Sequence, residues 1–230
     1  MTDSEFKEKI DEMLDEFSPE KLKLHLIEAE EAYKKGHALG LDYLAHFAKA
    51  IASEGILNKE LTPEVIYTIE KASRAVDESK NKGKMLFWPN SVINVYPMLT
   101  LCYITQSDWE KAVAAHSQYV EYLDLIFDIG GIPPPLDEEA EIDNILRITE
   151  QICEHYRNCG DIDQAIELMS SISRFIKSGG EETQFKYYAR LSMLYYDEAM
   201  ENYNCLKGEG PGGISEDIEK LHLELQNFKK

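Results

Sequence analysis

The chain is predicted to be all-helical, built from antiparallel hairpins, and three observations carry that prediction. Apolar residues recur at three- and four-residue spacing along almost the whole length, and sustained strand-type alternation is hard to find. Cap-proline-acid triplets, "SPE" from Ser18 and "TPE" from Thr62, mark helix starts: a hydroxyl caps, proline suits the first helical position, and an acid suits the first turn. Glycines at 36, 55, 83 and 179 come after the periodic runs, where a left-handed residue commonly closes a helix.

Taken in order, a first helix carries Phe6, Ile10, Met13, Leu14 and Phe17 on one stripe, and a second runs from the Ser18 cap to Gly36. A third spans about 37–55 with Leu41, Leu44, Ala45, Ala48 and Ile51 inward, and a fourth runs from Thr62 to Gly83 with Ile66, Ile69, Ala72 and Val76 inward. "FWPNS" reads as a loop, with Asn94 capping a fifth helix so that Pro97 occupies a position with no N–H bond to lose. Ser107 and Glu110 form an S-x-x-E capping box for a sixth helix that continues to about Ile129.

"GGIPPPLDEE" then interrupts the helices, because three consecutive prolines favour an extended segment. The stretch 130–137 is read as a connector inside one domain, 1–230, with a sub-boundary there as the alternative. A seventh helix spans about 137–158, and Asp161 with Gln164 caps an eighth that ends at Gly179 and Gly180. The ninth is rich in tyrosine; Tyr188, Leu191 and Tyr195 are assigned to packing, Tyr187 and Tyr203 to the surface. After "KGEGPGG", Ser215 caps a short last helix, giving ten helices in all.

Composition narrows the function. With 24 Lys+Arg against 43 Asp+Glu, the net charge is −19, which repels nucleic acid and anionic membrane surfaces and favours a basic or neutral protein or peptide partner. No 18-residue apolar run occurs, and the acidic, amphipathic "MTDSEFKEKIDEMLDEF" is unlike a secretory signal, so a cytoplasmic location is expected. Four cysteines lie inside helical segments and read as reduced thiols.

Two stretches, "CYITQSDWEKAV" from Cys102 and "HYRNCGDIDQAI" from His155, place a Tyr nine residues before an Ala, and they lie 53 residues apart. A small Ala early in a second helix permits close approach, and a Tyr near the end of the first helix is expected to close the gap. Residues 96–123 and 149–176 thereby resemble tetratricopeptide repeats. Tyr96, Leu99, Tyr103 and Ala112 stand at the family's large–large–Tyr–Ala positions, and Thr149, Ile152, Tyr156 and Ala165 stand there in the later copy. Thr100 and Cys153 take its small-residue place. The spacing exceeds the family's ~34 residues and the closing proline is absent. The resemblance implies an α-solenoid with a concave groove. The chaperone-tail clamp of some members needs Lys and Asn on successive first helices, and no such constellation is legible here.

Catalytic chemistry is not legible either. None of the six histidines sits in a metal or nucleophile motif, and Cys153, His155 and Cys159 diverge around a helix. "DID" at 161–163 lacks the remaining ligands of a calcium loop, and "GEGPGG" comes after no strand and has no Lys. No enzyme activity, cofactor or metal is expected. Arg147, Glu150, Glu154 and Arg157, at i, i+3, i+7 and i+10, form a mixed-charge stripe on the face that the resemblance turns into the groove, with Asn94 on the matching face of the earlier copy. These five are the candidate partner-binding residues. The expected function is a non-enzymatic adaptor or chaperone-like scaffold, the alternative an acidic inhibitor or immunity-type protein that neutralises a basic enzyme. Homo-oligomerisation is left open.

Overall fold

The computed structural model describes residues 4, 8, 19–37, 39–81, 88–132 and 136–209. Among the described residues the secondary structure is helical throughout, with nine helices packed against one another: α1 (Pro19–Lys34), α2 (Gly40–Leu57), α3 (Pro63–Asn81), α4 (Trp88–Thr105), α5 (Trp109–Asp128), α6 (Glu138–Cys159), α7 (Ile162–Ser171), α8 (Ser173–Ile176) and α9 (Glu181–Glu209). The stripe expected on the first helix and the helix expected after Ser215 lie outside the described residues, as does the proline run 133–135.

Packing proceeds in chain order. Helix α2 lies against α1, α3 and α4; α4 lies against α2, α3, α5 and α6; α6 lies against α4, α5, α7, α8 and α9. Side-chain pairs fix the directions. Lys49 to Asn94 and Ser53 to Met98 join α2 and α4 at one constant offset, which parallel helices produce. Asp77 to Tyr96 and Glu70 to Tyr103 join α3 and α4 at a constant sum, which antiparallel helices produce.

The turns within the hairpins share one backbone device. Lys59, Ser107 and Gly160 stand just past the ends of α2, α4 and α6 with φ of +59°, +59° and +82°. In each case the next residue's N–H reaches five residues back: Glu60 to the Gly55 carbonyl (2.8 Å), Asp108 to Tyr103 (2.9 Å), Asp161 to Tyr156 (2.9 Å). This is the Schellman closure, which satisfies carbonyls that a helix end would otherwise leave open. Ser107 is therefore the left-handed residue and not the cap; Asp108 caps α5, its carboxylate accepting the Lys111 N–H at 3.4 Å. Asp161 stands at the cap position of α7 without a side-chain bond.

Behind these turns the small residues close the hairpins. Ala112 and Ala165 are fully buried, and the Cys153 thiol donates to the Ala165 carbonyl at 3.3 Å, so the small-residue place of α6 touches the Ala of α7. Burial pushes that thiol up to about 12. Tyr103 behaves differently from expectation: its hydroxyl reaches out of its own hairpin to Glu70 on α3, 2.7 Å away. It ties one hairpin to the preceding one.

Helix α4 is the centre of the core and is buried on nearly every side, from Trp88 through Tyr103. "FWPNS" is thus no loop at its Trp: α4 begins at Trp88, Pro89 falls in the first turn where a missing N–H costs nothing, and Pro97 lies in the helix interior. Asn94 is consequently an interior residue and caps nothing. The Trp88 ring is fully buried, its Nε1–H donates to the Val76 carbonyl (3.2 Å), and it stands edge-on to Tyr122. Asp77 of α3 accepts hydroxyls from both Tyr96 of α4 (2.5 Å) and Tyr122 of α5 (2.7 Å), so one carboxylate oxygen joins three helices.

His116 of α5 is wholly buried against α6. The Thr149 hydroxyl donates to the Ile145 carbonyl (2.8 Å), which leaves it to accept from His116 Nε2 at 3.0 Å. Nδ1 is buried with no hydrogen-bond partner, and burial holds the imidazole down at about 4.

Two measurements test the turn and the buried ring. Ser107→Gly relieves a left-handed serine and should stabilise the chain by roughly 0.5–1 kcal/mol in urea unfolding, because glycine adopts φ > 0 without the Cβ clash; a destabilised variant would contradict the turn assignment. For His116, the unfolded chain protonates near the ordinary 6.5 and the folded chain only near 4. Stability is therefore full above pH 6.5 and is lost as pH falls toward 4, by about 3 kcal/mol from this residue. Denaturation curves at pH 7 and pH 4 should show that extra loss in the parent chain and not in His116→Gln; equal losses would refute the buried neutral ring.

Candidate functional site

Helix α6 carries the charged stripe. Its start is fixed by Asp137, in extended conformation, whose carboxylate accepts the N–H groups of Glu139 and Ala140 at 3.1 and 3.3 Å. Its buried face, Ile142, Ile145, Leu146, Ile148, Thr149, Ile152 and Cys153, is broad enough to pack on several neighbours at once. The stripe residues share the face beside it, and that face turns toward α9.

There the charges meet partners within the chain. Thr183 and Lys186 approach Asp143 (3.3 and 3.5 Å), Arg190 Nε donates to Glu150 (3.1 Å), and Arg157 donates to Asp197 through Nε (3.0 Å) and Nη2 (2.6 Å). Three of these pairs, 143–183, 150–190 and 157–197, share a separation of 40 residues, which sets α6 and α9 parallel and in register. Arg157 also reaches Glu154 (2.7 Å). The Arg157 and Asp197 side chains are only 29% and 22% exposed, so theirs is the best-shielded rung.

Arg147 stands apart. Of the chain's five arginines, Arg74, Arg157, Arg174 and Arg190 each meet a carboxylate, whereas exposed Arg147 meets, among the described residues, the Asn144 amide oxygen at 3.0 Å and no carboxylate. It borders two adjoining clefts between α6 and α9. One, of about 540 Å³, is lined by Leu146, Phe185, Ala189 and Met193 together with the Asp143, Glu150, Lys186 and Arg190 charges. The other, of about 240 Å³, runs on past Gln151, Cys153 and Leu194 to Arg157. An arginine beside apolar walls suits a carboxylate on an amphipathic segment.

Asn94 is not at these clefts. It is 9% exposed and its Oδ1 accepts from Lys49 Nζ at 3.0 Å, across the α2–α4 junction. A Lys–Asn pair thus joins α2 to α4; no reading of either segment alone could find it, since its members are 45 residues apart.

The assignments of Tyr187, Tyr188 and Tyr195 on α9 are reversed, whereas Leu191 packs against the core as expected and Tyr203 is half-buried. Tyr187 is buried, while Tyr188 and Tyr195 are about half exposed and Phe185 is 74% exposed. Helical periodicity gives the spacing of a stripe but not its azimuth, and the packed side is decided by where α6 and α7 lie. Elsewhere, His155 lies flat on Trp109, ring centres 4.1 Å apart, with the exposed Cys159 sulfur 3.8 Å from its Nε2. Among the described residues no group of three or more His, Cys, Asp or Glu could hold a metal ion, and no helix is long and apolar enough to cross a membrane.

No family model matches the chain, and neither a curated protein nor a solved structure does.

The α6–α9 register predicts a double-mutant result. Asp197→Ala should cost about 1.5–3 kcal/mol, the usual worth of hydrogen bonds to a charged group, and should speed amide exchange in α9. Combining Arg157→Asp with Asp197→Arg should recover part of that loss. Additive losses in the swapped pair would show that the contact is incidental.

Proposed function

We propose that the chain is a tetratricopeptide-like α-solenoid that holds a segment of a partner protein along the face formed by α2, α4, α6 and α9, with no chemistry of its own. Several features support the architecture. Contacts join successive helices and, beyond them, α2 to α4, α4 to α6 and α7 to α9; α2 and α4 run parallel as do α6 and α9, and one closure ends α2, α4 and α6. Stacked hairpins of this kind produce a continuous face along the first helices, and such faces serve as extended binding surfaces.

The observation that carries the binding reading is Arg147. In a chain of net charge −19 it is the one arginine that faces no carboxylate among the described residues, and it sits over a cleft whose walls are partly apolar. A partner of basic or neutral net charge that presents one carboxylate on an amphipathic helix or extended segment fits this arrangement. The neighbouring pairs of Glu150 and Arg157 with α9 shape the cleft and leave Arg147 to the partner.

The acid excess favours a second reading, neutralisation of a basic enzyme by charge over a different face. One experiment separates them. Pull-down with the full chain and with Arg147→Glu, read by quantitative mass spectrometry, should show a groove partner depleted at least ~tenfold by a hot-spot reversal, with the thermal midpoint unchanged. A partner indifferent to Arg147→Glu whose binding collapses between low and moderate salt would support the inhibitor reading instead.

A further inference from the structure

Among the described residues one face of α9 is unpartnered, and it has a regular composition. Phe185, Tyr188, Ser192, Tyr195, Ala199 and Asn202 are all exposed, at alternating spacings of three and four residues. This is the spacing of a coiled-coil seam, on the side of α9 away from Tyr187, Arg190, Leu194 and Asp197, which pack on the fold; Phe185, at its edge, also borders the α6–α9 cleft. Exposed aromatic rings concentrated on one helix face mark an interaction surface. We propose that this seam pairs with the same seam of a second copy of the chain, with the two α9 helices antiparallel.

The choice of a second copy rests on self-complementarity. In an antiparallel coiled coil each a position faces a d position of the other helix, which pairs Phe185 with Asn202, Tyr188 with Ala199, and Tyr195 with Ser192. Every layer then sets one large aromatic against one small or short side chain, and each layer occurs twice about a two-fold axis, as an isologous interface requires. A parallel pairing would instead stack Phe185 on itself and Asn202 on itself.

Charge points the same way. Two copies of a −19 chain repel one another almost everywhere, yet the seam carries no charge, and of the flanking residues Ala189, Leu191, Tyr196 and Glu198 only the last does. Area sets the strength. Phe185, Tyr188 and Tyr195 are 74%, 54% and 49% exposed; at ~150–250 Å² for each aromatic side chain, the three rings bury about 700 Å² over two copies. That is more than half of the ~1,200 Å² at the lower edge of stable interfaces, and the flanking side chains supply further area, so the dimer is a reversible one.

Sedimentation equilibrium of the full chain across a concentration series tests the inference. The parent chain should show a monomer–dimer equilibrium, and Tyr188→Glu with Tyr195→Glu should raise Kd at least ~100-fold, as loss of aromatic anchors does. Both rings are half exposed in the monomer, so far-ultraviolet circular dichroism should not change. Orientation is read separately, in a background with Cys159→Ser and Cys205→Ser: Tyr188→Cys with Ala199→Cys should cross-link on oxidation, and Tyr188→Cys alone should not. A strict monomer, a dimer insensitive to the glutamates, or efficient cross-linking of the single-cysteine chain would each overturn it. A monomer that dimerises only after removal of residues 210–230 would overturn it too, by showing that the chain's own end covers the seam.

Discussion

The left-handed residue after each first helix is the constraint on which the rest of the fold depends. At positions 59, 107 and 160 it reverses the chain within a few residues, so the second helix must return along the first. The reversal is tight enough to demand small side chains at the contact, which is why Ala112 and Ala165 are fully buried and why the Cys153 thiol can reach a carbonyl of the facing helix. Helix α1 ends on the same closure, with Gly36 at φ +79°. Close approach recurs beyond it: a Cβ at Gly40 would sit 2.5 Å from the Tyr33 backbone nitrogen.

The hairpins that these turns create are held to one another differently along the chain. The middle is joined by buried aromatics around α4 and by one acidic oxygen shared between Tyr96 and Tyr122. Burial and the neighbouring Asp77 hold both phenols far from ionisation, so the node stays a pair of neutral donors on one shared oxygen. The later junction is joined by ions instead. Pairs at a common separation align α6 with α9 and leave room between them for the clefts, so the same charges that fix the helices define the candidate binding surface.

Much of this was legible in the sequence, and the misreadings have physical causes. Helix spans came from apolar spacing, and the repeated Tyr-to-Ala interval correctly marked equivalent turns. "FWPNS" misled because proline is both a breaker and a good first-turn residue, and only the burial of Trp88 decides between them. Ser107 looks like a cap because serine usually is one, and its neighbour Asp108 does that work. The helix expected to run unbroken to Gly179 divides at Ile172, without a glycine or proline to announce it. Least legible was the stripe: its spacing showed a shared face, but that Glu150 and Arg157 would meet Arg190 and Asp197 depends on a register between helices that no local pattern encodes.

The two tryptophans lie in opposed surroundings, with an optical consequence. Trp88 is sealed in apolar packing at 0% exposure, whereas Trp109 is half-buried under a parallel imidazole. An indole sealed from water emits to the blue of one open to solvent, so the native spectrum should carry two separable contributions. Alkylation of Cys159, whose sulfur lies 3.8 Å from that imidazole, should therefore change the Trp109 contribution and leave that of Trp88. One indole thus lies where it would report on the core and the other where it would report on a single hairpin turn.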